Sequence, residues 1–183
     1  MDRISAAGPI KQTAVLLFYG WGYNFYREEN KLRADDQLIR NKVAGILADA
    51  RGGLKALEDA WRREHLPPPT RDQPFPDRAL TEQARRIARA GSLIEEVATA
   101  ITNAAAPTND KIWARHRTER GLLEVLQGID VGMTDTAVAF HDELVEWDQD
   151  RLTDPTIERV VGEALKPLKT IVRERAERLT LLV

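Results

Sequence analysis

Four residues with the widest chemical range fall in step with apolar stripes. Asp36 is in phase with Leu32 and Ile39, His116 and Glu119 with Ile112 and Leu123, and Arg175 with Leu168 and Leu179, on the three-and-four spacing of one helix face. If the helices that carry them run alternately up and down, all four meet at one end of a bundle, with Asn103 nearby. Such a layer could serve as a hydrogen-bonded network that fixes helix register. Arg175 and His116 could instead hold a small anionic ligand, or the acids and His116 a metal, as in bundle di-iron proteins. The metal reading fits least, because His116 and Glu119 stand in the order His-x-x-Glu, the reverse of the usual motif. No second histidine pair exists, and Arg175 would repel a cation. The network reading is carried forward with no catalytic residue, metal or cofactor assigned, and a ligand-binding or metal-dependent enzyme built on the layer is the alternative.

Two other clusters invite chemistry. Glu143 and Glu146 share a helix face within the acidic run from His141 to Asp150, but a magnesium site needs a second acidic pair on a partner helix, which the sequence does not supply. A solvated helix face is the expectation. Arg85, Arg86 and Arg89, with Arg115, Arg117 and Arg120, could bind phosphate, yet Glu82, Glu95, Glu96, Glu119 and Glu124 interleave with them and favour salt-bridge lacing between helices. Lys plus Arg (27) nearly cancels Asp plus Glu (29), which argues against a nucleic-acid partner. The absence of cysteine excludes disulfides, thiolate metal sites and thiol catalysis. No glycine-rich phosphate loop, Gly-x-Ser-x-Gly elbow, His-Glu-x-x-His helix or dinucleotide fingerprint occurs.

The elements that must position these side chains are helical. One stripe runs through Leu32, Ile39, Val43, Ile46, Ala50, Leu54, Leu57 and Trp61, and a second through Leu80, Ala84, Ile87, Gly91, Ile94, Ala98, Ile101 and Ala105. A third runs through Leu122, Leu126, Ile129, Met133, Thr136, Phe140, Leu144 and Trp147, predicting one helix from about Asp110 to Arg151. A fourth starts after Asp154-Pro155 and carries Ile157, Val161, Ala164, Leu168 and Leu179. No two-residue alternation bounded by hairpin turns occurs. The expected architecture is all-α, an up-down-up-down four-helix bundle of long helices in a single domain over 28–183, with consecutive neighbours among helices two to four. The proline-rich crossover 67–77 reads as a rigid strap between helices one and two. Its Pro74-Phe75-Pro76 could also dock into an aromatic-lined groove, though so common a pattern is not specific.

Residues 1–27 form an aromatic N-terminal appendage. Phe18, Tyr19, Trp21, Tyr23, Phe25 and Tyr26 are six of the eleven aromatic residues of the chain. A continuous helix from Pro9 to His65 would be about 85 Å long at 1.5 Å per residue, longer than any partner, so the segment must break, fold back or protrude. It could pack across the end of the bundle, or lie at a membrane surface, being too short an uncharged run to span one. The reading carried forward is that it docks a protein partner or another copy of the chain, tyrosine and tryptophan being the usual interface anchors. The bundle is expected in the cytoplasm, with membrane association the lesser alternative.

Overall fold

A computed structural model describes residues 28–71, 74–104 and 120–180. Among these residues the regular structure is entirely helical: α1 (Glu28–His65), α2 (Arg78–Thr102), α3 (Arg120–Val145), a 3-10 turn (Asp150–Thr153) and α4 (Ile157–Thr180). The arrangement is compatible with a helical bundle. The aromatic segment Phe18 to Tyr26, His116 and Glu119 lie outside the described residues, as does the expected start of the third helix near Asp110.

Each helix buries one stripe. α1 contributes Val43, Ile46, Leu47, Ala50, Leu54 and Trp61, and α2 contributes Ala84, Ile87, Ala90, Ile94, Val97 and Ile101. From α3 come Met133, Ala137, Val138, Phe140 and Leu144, and from α4 come Ile157, Val161, Leu165 and Leu168. A fully buried Leu or Ile in such a core stabilises it by about 1.5–3 kcal/mol. The stripes differ from the sequence expectation by a residue at several steps. Ala90 and Val97 are buried in place of Gly91 and Ala98, Ala137 in place of Thr136, and Leu165 in place of Ala164. The helix faces a core on two flanks, so its buried stripe is wider than a single line of three-and-four steps.

α1 packs on both α2 and α3, and α4 packs on the same two helices. The expected side-by-side placement of the second and third helices does not hold, since among the described residues these two share no extensive contact. A short joint does not force adjacency. The diagonal of a square of helices about 10 Å apart is about 14 Å, within reach of five extended residues at about 3.3 Å each.

Polar contacts tie the helix ends. Arg62 near the end of α1 donates to the carbonyl oxygen of Ala84 near the start of α2. Gln83 Nε2 donates to the carbonyl oxygens of Leu152 (2.6 Å) and Asp154 (2.9 Å), joining the start of α2 to the approach to α4. Asp77 caps α2, its Oδ1 accepting from the N–H groups of Ala79 and Leu80. Asp154 Oδ1 accepts from the Thr156 N–H at 2.7 Å, and the helix proper begins at Ile157, two residues beyond Pro155.

The third helix stops at Val145 rather than Arg151. Glu143, Glu146, Asp148 and Asp150 place negative charge where the helix dipole is already negative. The Trp147 N–H bonds the carbonyl of Leu144 in a tighter turn, and the Trp147 ring packs against the core with the Arg151 guanidinium 5.4 Å from its centroid. Leu152 in the 3-10 turn is fully buried.

Candidate functional site

A layer of buried charge lies where α1 begins, α2 ends and α4 ends. Asp36, Arg40, Asp130 and Arg175 are all buried. On α1 the steps Asp36, Arg40, Val43 and Leu47 follow one helix face, so the face that supplies the core also carries an acid and a base one turn apart. Arg40 Nη2 donates to Asp36 Oδ2 at 3.0 Å and to Gln37 Oε1 at 2.9 Å. Its Nη1 donates to the carbonyl oxygens of Thr102 (3.1 Å) and Ala104 (2.6 Å), placing a cation at the negative end of the α2 dipole. From α4, Arg175 Nη2 donates to Asp36 Oδ1. Arg175 Nε stands 3.4 Å from Asp130 Oδ1 on α3.

Two carboxylates and two guanidiniums balance formally, but they are not served equally. Asp36 takes hydrogen bonds from both arginines, whereas among the described residues Oδ1 of Asp130 has the ion contact with Arg175 and no well-formed hydrogen bond. Burial pushes the Asp130 carboxyl up to about 6. The Arg175 charge opposes that shift, and the negative charge of Asp36 adds to it.

Of the residues singled out in the sequence, the structure brings Asp36 and Arg175 into direct contact. His116 and Glu119 fall outside the described residues. Asn103 is exposed at the C-cap of α2, so the carbonyl groups on either side of it, rather than its side chain, reach the layer. Sequence reasoning missed Arg40 and Asp130. Both were signalled: Arg40 continues the step from Asp36 to Val43, and Asp130 sits between Leu126 and Met133 at four and three residues. The adjacent Ile39 and Ile129 fill the same steps of their stripes and hide the charged residues beside them.

Of the other clusters, Arg115 and Arg117 lie outside the described residues, while Glu143, Glu146, Arg85, Arg86 and Arg89 form surface. Glu143 and Glu146 are exposed, and among the described residues no group of His, Asp and Glu side chains is arranged to hold a metal ion. Arg85 pairs with Glu82 at 3.5 Å, Arg89 pairs with Glu82 at 3.1 Å and with Glu158 at 2.8 Å, and Arg86 donates to Gln83. No helix among the described residues is long and apolar enough to cross a membrane. Comparison with protein-family models, with curated proteins and with solved structures found no match to this chain.

Proposed function

We propose that this chain is a non-catalytic interaction or assembly module, an up-down-up-down four-helix bundle that contacts a protein partner or another copy through its aromatic N-terminal segment, in the cytoplasm. The observation that carries the reading is the direction in which the buried charges spend their bonds. Arg40 is directed at Asp36 and at the carbonyl groups ending α2, and Arg175 at Asp36 and Asp130. A layer that joins three helices and the end of a fourth sets register and makes a rigid support. The alternation of chain direction is supported by two sets of contacts. Arg62 and Gln83 tie the end of α1 to the start of α2 and to the approach to α4, while Arg40 and Arg175 tie the start of α1 to the ends of α2 and α4. The chain N-terminal to Glu28, which holds the aromatic cluster, joins the bundle at this charged end.

The test is the double variant Trp21→Ser/Tyr23→Ser in the full chain. Association, followed by sedimentation, weakens by about 2 kcal/mol or more, as when central anchors are lost, while helicity and the cooperativity of unfolding stay unchanged. Loss of the folded bundle in this variant would make the segment part of the core and end the proposal. Binding of the full chain, but not of a version starting at Glu28, to lipid vesicles would move the contact to a membrane surface.

One observation favours the alternative of a ligand-binding or catalytic layer. A buried carboxyl raised to about 6, as Asp130 is, has the proton affinity that general acid–base sites require. Arg40 and Arg175 in the same layer oppose a metal there and are suited to an anion.

A further inference from the structure

We draw no further inference here: the strongest candidate, the stripe of small residues Gly45, Ala48, Gly52 and Ala56 along the exposed face of α1, carries nothing, because nothing among the described residues shows what covers it.

Discussion

At one end of the bundle Gln83 reaches the carbonyl oxygens of Leu152 and Asp154 with its neutral amide; at the other, Arg40 and Arg175 hold Asp36 and Asp130 with charge. Both arrangements are buried and both link helices distant in sequence. The amide satisfies two carbonyl groups and has no protonation state to change near neutral pH. The ionic layer satisfies more groups, but each charge is tolerable only while its partner remains, and the raised Asp130 carboxyl takes up a proton as pH falls through about 6. Neutral and ionic joints thus fail in different ways, by different amounts and with different dependence on pH.

The largest break is expected from Arg175→Met. Removing this guanidinium takes one of the two arginines from Asp36 and, among the described residues, the ion-pair partner from Asp130, and breaking a buried ionic partnership in this way costs about 3–5 kcal/mol. Urea unfolding at neutral pH measures it, and a loss under about 1 kcal/mol would show that water reaches the layer.

Gln83→Ala is expected to cost less, about 1–3 kcal/mol, for the desolvated carbonyl groups left without donors. The same unfolding series at several pH values should show a loss that does not change between pH ~5 and pH ~8, since no titrating group is involved.

The smallest effect sharpens the contrast through pH. The Asp130 carboxyl is raised above its ordinary value to about 6, so the folded state binds the proton more tightly than the unfolded state. Its contribution is fullest below the unfolded pKa and is lost as pH rises through about 6. Going from pH ~8 to pH ~5 should therefore stabilise the protein by roughly 1 kcal/mol, and Asp130→Asn should remove that gain. Asp59, Glu82 and Asp154 are lowered by their cationic or hydrogen-bonding partners, so what they contribute is lost only further to the acid side. An Asp130→Asn variant with an undiminished slope would assign the titration elsewhere.

The helical class was legible because period and capping agree along long segments: Asp154 stands ahead of α4 with its Oδ1 accepting from the Thr156 N–H, and Ile87, Ile94 and Ile101 fall on the face that is buried. Which helices neighbour one another was not legible. A stripe states which face is buried and not against what, and a short joint permits a diagonal step as readily as an adjacent one. In the layer, Asp36 and Arg175 are legible because each occupies a step of its apolar stripe, whereas Arg40 and Asp130 stand beside Ile39 and Ile129, which fill those steps themselves. The end of α3 was hidden for another reason: the apolar phase continues through Leu144 to Trp147, while charge and a tightened turn decide the boundary.

The packing order has a consequence for how the chain folds. α1 with α2 and α3 with α4 are pairs adjacent both in sequence and in space, so each can close as a helical hairpin over a short separation, whereas contacts between the pairs must bridge long stretches of chain. Asp36 and Arg40 belong to the first hairpin, and Asp130 and Arg175 to the second. Gln83 and the two carbonyl groups it serves are divided in the same way. On a route through preformed hairpins, Arg40 can already hold Asp36 and the end of α2, whereas the Asp36–Arg175 pair forms only when the hairpins dock, and the transition state for docking sets how much of the Arg175 deficit is felt as slower folding and how much as faster unfolding.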